Sequence, residues 1–149
     1  MAAIVAIASL VNSIMPAISR AGNALVTSAE VADDRLTSRI EIIHATGQVG
    51  AEEADVWVKN TGASQIIALQ QIDVFFGPED DFQRVAYGGP GCTAPCWDYD
   101  LENDTQWNPT ATLHITIFVE AADALASGET YYVKVVAPNG VEDSKFFTL

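Results

Sequence analysis

The sequence predicts an α+β chain: a long hydrophobic N-terminal α-helix followed by an all-β, immunoglobulin-like sandwich head. Three observations predict it. Residues 1–19 carry no charged side chain, the first charge being Arg20. All Trp, Tyr and Phe residues lie beyond residue 56, and so does most of the acid: residues 1–39 are charge-balanced, while residues 40–149 carry the whole formal net charge of −13. Beyond residue 38, short apolar runs alternate with Gly, Pro and Asn turn signals. Two parts follow: an N-terminal helix over residues 1–37 and a head over residues 38–149. Half of the chain is hydrophobic, so a packed core is expected and disorder is not. The acidic head excludes nucleic acid and anionic lipid as partners.

The opening segment, MAAIVAIASLVNSIMPAISRAGNALVTSA, is apolar but built largely from small residues. Ala6 and Ala8 let helix axes approach closely, and Leu10, Ile14, Ile18 and Leu25 supply apolar bulk. A helix apolar on all sides is buried on all sides. Copies of the same helix, a bilayer or the chain's own head could each bury it; a bundle of sister helices is the favoured reading. As a single membrane span it is barely long enough at about 20 residues, and Asn12, Ser13 and Pro16 interrupt it. A secretory signal would open with basic residues, which are lacking here. Pro16 should bend the helix. Leu25, Ala29, Ala32 and Leu36 continue the helical spacing toward Thr37. About 35 residues at 1.5 Å each give a rod of roughly 50 Å, longer than a small domain is deep.

The head reads as seven strands. In 38–50, Ile40, Ile42 and His44 alternate against Glu41 and Ile43. Residues 54–62 form a strand ending at Asn60-Thr61-Gly62, with Trp57 placed in the core beside Val56 and Val58. A long strand over 66–77 ends at Gly77-Pro78, and a short one covers 84–89. Residues 112–120 and 130–140 alternate cleanly, and 143–149 closes the chain. Regular spacing of short strands suggests a two-sheet sandwich. Apart from 84–89, the stretch 78–111 is irregular, which makes it a candidate functional loop.

Within that stretch, Cys92 and Cys96 are close enough to pair as a disulfide in an exported chain. Free thiols are the plain alternative, and zinc, which needs four ligands, would need both His44 and His114, which fall in predicted strands. Asp98, Asp100, Glu102 and Asp104 fall at alternate positions, as in the opening of a calcium loop. The EF-hand pattern then fails, with Asn103 at its glycine and Pro109 at its glutamate; a solvated acidic loop or strand face is the alternative. Asn103-Asp104-Thr105 is an N-glycosylation sequon, and so short a motif also arises by chance. Trp57, Trp97 and Trp107 together could form a sugar platform; against it, Trp57 reads as core, and Trp97 and Trp107, which bracket the acidic run, could pack over the cysteine bridge. No catalytic constellation is present, and no enzyme is expected.

Three stretches carry a family resemblance: VWVKNTGASQI (56–66) with IDVFFG (72–77), WNPTATLHI (107–115), and GETYYVKVVAPNGVEDSKFF (128–147). With the apolar stem before them, they resemble archaellum proteins of the type IV pilin-like superfamily, namely archaellins and the archaellar F and G stator proteins. Bacterial type IV pilins place a Glu five residues into the mature stem; here Val5 stands there, which favours the archaellin-like side. The short basic leader usual in archaellar precursors does not precede the apolar run.

The resemblance implies a structural subunit on the outside of the cell. It would polymerise with identical copies through Ala6, Ala8, Leu10, Ile14, Pro16, Ile18 and Leu25, and meet the membrane only before assembly. Its other partners would be the archaellum motor and export machinery. The alternative within the family is a membrane-anchored stator that grips the cell envelope. Calcium and an N-glycan are the only additions expected. Heads of charge −13 are expected to meet through neutral strand edges, with cations bridging acidic loops.

Overall fold

The structure, a computed structural model, describes residues 37–149. The predicted stem, including Ala6, Ala8, Leu10, Ile14, Pro16, Ile18 and Leu25, lies outside the described residues. The head belongs to a compact unit by itself, Arg35–Leu149. It contains eight strands: β1 (Ile40–Gly47), β2 (Glu53–Asn60), β3 (Asp73–Pro78), β4 (Gln83–Val85), β5 (Cys96–Leu101), β6 (Thr112–Phe118), β7 (Thr130–Val136) and β8 (Glu142–Thr148).

They form two antiparallel sheets of order β1-β2-β6-β5 and β4-β3-β7-β8. An immunoglobulin sandwich orders its strands A-B-E-D and C-F-G. The order found here is that arrangement with one further edge strand, β4, beside the third strand. Strands β2, β6 and β7 alternate buried and half-buried residues along their length, the period of a sheet with one face on a core. Their inward residues, Val56, Val58, Leu113, Ile115, Ile117, Val133 and Val135, are fully buried. Fully burying each such side chain stabilises by about 1.5–3 kcal/mol before chain entropy is counted.

Four expectations are corrected. The strand over 66–77 is interrupted: Ala68 takes a left-handed backbone conformation (φ 57°), a single 3-10 turn follows over Leu69–Gln71, and β3 begins only at Asp73. Ile66 keeps one isolated bridge, to Trp107.

The irregular stretch holds a full strand, β5, missed because its outward positions are acidic. Trp97, Tyr99 and Leu101 face Ile117, Ile115 and Leu113 across the ladder, and Asp98 and Asp100 point the other way.

His44 does not share the inward face of Ile40 and Ile42. A bulge at Ile43 shifts the register between Ile42, opposite Val58, and His44, opposite Trp57. An extra residue in one strand reverses the facing of everything after it. Ala45 therefore turns inward and His44 outward.

Trp57 lies on the same outer face, between the buried Val56 and Val58. The core tryptophans are Trp97 and Trp107, both fully buried. That placement removes them as a sugar platform. The Trp107 indole donates to Ala111 O at 3.2 Å; Trp97 Nε1 has no hydrogen-bond partner.

Candidate functional site

The outer faces of the two sheets differ in chemistry. On the first sheet, His44, Trp57, His114 and Asp100 stand in one row across β1, β2, β6 and β5. The Trp57 and His114 rings stack with centroids 4.6 Å apart and planes 3° from parallel, and His44 covers the other side of Trp57 at 5.3 Å. Asp55 Oδ1 lies 2.8 Å from His114 Nε2, and Glu102 Oε1 lies 3.4 Å from His114 Nδ1. The Trp57 indole N–H donates to the same Glu102 oxygen at 3.1 Å. Both histidines of the chain are thus gathered on one tryptophan. Nothing in the sequence announces it, because the pairing depends on the register of three strands and on the bulge.

Acid dominates around this row. Glu41, Glu53, Asp55, Asp98, Asp100 and Glu102 share the face with two bases, Lys59 and, just before β1, Arg39.

The four carboxylates expected to open a calcium loop are spread out. Asp98 and Asp100 lie on β5, Glu102 is turned toward Trp57, and Asp104 sits in the following loop. Asp104 accepts hydrogen bonds from the Asn108 side chain at 3.0 Å and from the Thr105 amide at 2.7 Å. The Asn108 bond, followed by that of Thr105, holds its carboxyl below the usual aspartate value. Among the described residues no group of three or more His, Cys, Asp or Glu is placed to hold a metal ion. Asn103, the sequon residue, is exposed, and its side-chain oxygen accepts the Thr112 amide at 3.1 Å.

Cys92 and Cys96 are joined to each other, their Cα atoms 6.4 Å apart. The loop they close leads directly into β5, where Cys96 and Trp97 are buried. Tyr87 pairs with Trp97 in a parallel bridge and meets its ring edge-on at 4.9 Å. Burial, and then the negative charge of Asp98, pushes the Tyr87 hydroxyl above its ordinary pKa.

The second sheet's outer face is aromatic. Gly77, Tyr132 and Phe146 lie in one row across β3, β7 and β8. A side chain at position 77 would meet Asp81 O and the Phe82 Cα at 2.7 Å. Glycine there lets the β3–β4 turn fold over the strand and bring Phe82 onto Tyr132, with centroids 4.5 Å apart. Phe146 lies against Tyr132 on the other side at 4.9 Å. The next row holds Arg84, Phe75 and Lys134, with the Lys134 ammonium 5.9 Å from the Phe75 ring centre. Arg84 pairs with Asp73 at 2.8 Å and Lys134 with Glu142 at 3.3 Å. The strands of this face therefore carry two cations and two anions, and the β3–β4 turn adds Glu79, Asp80 and Asp81 at one end.

A cleft of about 600 Å³ opens where the β3–β4 turn meets the β6–β7 connection, lined by Asp80, Asp81, Glu120, Asp123 and Glu129 with Arg84. No nucleophile, base and oxyanion donors converge in any of these places.

The chain is 27% identical to a protein of the archaellum periplasmic stator complex FlaF and FlaG of Sulfolobus acidocaldarius, with a TM-score of 0.63 over 73% of this chain and 88% of that one. It is 19% identical to the archaeal flagellum of Methanospirillum hungatei, with a TM-score of 0.61 over 99% of this chain and 91% of that one. An uncharacterized protein of Archaeoglobus fulgidus is 25% identical over 99% of this chain and 91% of its own length. The sequence profile of archaeal-type flagellins matches residues 1–146, nearly the whole length. On that match, and with the sandwich to accompany it, the chain belongs to the archaeal-type flagellin family.

Proposed function

We propose that this protein is a structural subunit of an archaellum filament, polymerising through residues 1–37 and carrying its acidic sandwich on the outside. One observation carries the reading. The family match runs without a break from residue 1, so the uncharged segment 1–19 is part of what is shared and not an addition to it. Burying that segment among sister copies removes its apolar surface from water, which drives assembly. The acidic heads keep the finished fibre soluble. The filament would serve motility, outside the cell.

A second reading has its own support. Identity to the stator structure, at 27%, exceeds that to the flagellum, at 19%. In that case the stem anchors single copies in the membrane, and the sandwich grips the envelope.

Electron microscopy of cells making the wild-type chain or Ala8→Asp separates the two. A charge buried among packed stems is costly, so Ala8→Asp is expected to abolish fibres. Wild-type cells with no fibres, and with the protein found as single copies in the membrane, would overturn the filament reading. Deleting residues 1–37 should leave a folded head that no longer polymerises.

A further inference from the structure

We infer that a groove beside β5 binds a neutral saccharide through the side chains of Gln65, Gln70, Gln71 and Gln106. The inference concerns the head alone and stands apart from the filament reading.

The groove owes its existence to the interrupted strand. At Ala68 the backbone turns left-handed (φ 57°), a conformation that a residue other than glycine holds only where its surroundings fix it. The chain leaves the line of the strand there, and the turn Leu69–Gln71 lines one groove with Tyr99 and Leu101 of β5. The groove holds about 520 Å³, within the range of small-molecule sites. Its walls are tied together by the protein itself. The Ile66 amide donates to Trp107 O at 3.1 Å, and Gln65 Nε2 donates to Gln106 Oε1 at 3.1 Å.

Its chemistry differs from that of the surrounding head. In a chain of net charge −13, none of the described residues lining the groove is charged, and four of the chain's six glutamines line it. The carboxylates nearest in sequence are engaged elsewhere. Asp100 lies on the opposite face of β5, Glu102 accepts the Trp57 indole, and Asp104 is held by Asn108 and Thr105. A carboxamide both donates and accepts. The bond between Gln65 and Gln106 uses one nitrogen and one oxygen, and leaves Gln65 Oε1 to accept and Gln106 Nε2 to donate.

These groups select the ligand by exclusion. An ion of either sign would find no counter-charge, and the acidic head repels acidic sugars besides. A wholly apolar ligand would strip water from the amides and leave them unpaired. An extended peptide reads a sheet edge through backbone groups, and those of β5 are largely spent. The Trp97 amide donates to Ala86 O, Trp97 O accepts the Gly88 amide, and the Leu101 amide donates to the Asp100 carboxylate. What fits is an uncharged molecule whose hydroxyl groups both donate and accept, and whose C–H faces can lie on Tyr99, Leu101 and Ile67, the last 69% exposed. A neutral saccharide has both.

The test follows the head, residues 35–149, a compact unit by itself, by NMR titration, in which the glutamine side-chain amides report directly. The neutral probes are cellotriose, maltotriose, mannotriose and N-acetylchitotriose; the charged probes are trigalacturonate and the trimer of glucosamine. At least one neutral probe should shift the side-chain signals of the four glutamines saturably, and the charged probes should not. Gln106→Ala should weaken that binding by about fivefold, the equivalent of one net hydrogen bond. Gln71→Ala should weaken it as well. Phe146→Ala, on the second sheet, should leave it unchanged. Circular dichroism checks that each variant remains folded. A glycoprotein bearing a neutral high-mannose chain, tested before and after enzymatic removal of that chain, tells a saccharide carried on another protein from a free one.

Four results would overturn the inference: no saturable shift with any neutral probe; equal binding of trigalacturonate; shifts confined to other signals, such as the Trp57 indole; or folded Gln106→Ala and Gln71→Ala variants that both bind as the wild type does. The same shifts on adding an uncharged Gly-Ser peptide would overturn it in favour of strand addition. The filament reading falls instead on fibres that survive Ala8→Asp, so the two failures are distinguishable.

Discussion

The carboxylate of Asp143, on β8, accepts the amide hydrogen of Ile42, on β1, at 2.7 Å. The two strands belong to different sheets and form one side of the sandwich. Ile42 stands just before the bulge, its side chain is in the core, and its amide points away from β2 toward the seam. An open strand edge is a template for uncontrolled pairing, and an inward-turned charge is one way to block it.

Asp143→Ala should therefore cost more than an ordinary surface change. Leaving a partly buried amide without its charged acceptor costs about 1–3 kcal/mol. Urea denaturation of the head measures it. Asp143→Asn keeps an acceptor and should recover part of the loss.

The two tryptophan placements make opposite demands. Trp97→Ala, in the core, should destabilise by about 3–5 kcal/mol. Trp57→Ala removes half-exposed ring contacts with His44 and His114, worth roughly 1 kcal/mol. Comparing the two unfolding midpoints decides between this structure and the sequence-based placement of Trp57 in the core, which demands the reverse order.

That placement shows how far the sequence was legible. Alternation in β2, β6 and β7 was plain, because small and branched apolar residues fall at every second position. The same period is present in Trp97, Tyr99 and Leu101, yet the outward Asp98 and Asp100 made β5 read as a loop. Period alone also leaves open which set of a strand faces inward when an aromatic sits among valines. Val56 and Val58 went inward, and Trp57 found its partners on neighbouring strands. The aromatic row of the second sheet was hidden for a different reason: it depends on Gly77 letting Phe82 fold back, a contact that no local pattern encodes.

Reducing the Cys92–Cys96 bond closes off a modest contribution. A loop this short is worth about 2 kcal/mol by the chain-entropy estimate. Unfolding with and without reductant, or of Cys92→Ser with Cys96→Ser, should show a loss of that size. Local effects should centre on Trp97 fluorescence, since its residue follows Cys96 directly.

The pH dependence has two limbs. Asp104 is depressed by Asn108 and Thr105. Its contribution is complete above the ordinary aspartate value of about 4 and is lost as pH falls through the lower folded value. Asp104→Asn should flatten the acid limb of the stability profile. Tyr87 is raised, chiefly by burial. Its contribution is complete below the ordinary tyrosine value of about 10 and is lost as pH rises through the higher folded value. Tyr87→Phe should flatten the alkaline limb. NMR titration of the two residues checks both directions.

Asn60 is fully buried at the end of β2, and its side chain is satisfied on both atoms. Its Nδ2 donates to Ser64 O and Trp107 O, and its Oδ1 accepts the Gly62 amide. The turn it holds grips the incoming chain: the Thr61 and Gly62 amides donate to Arg39 O, the Ala63 amide donates to Thr37 O, and the Thr37 and Ser64 hydroxyls meet at 2.6 Å. A methyl group at Gly62 would lie 2.5 Å from both Arg39 N and Thr37 O, so only glycine permits so close a clasp. Mechanically, a pull at Thr37 is shared between β1, into which the chain leads directly, and the turn after β2, to which it is clasped.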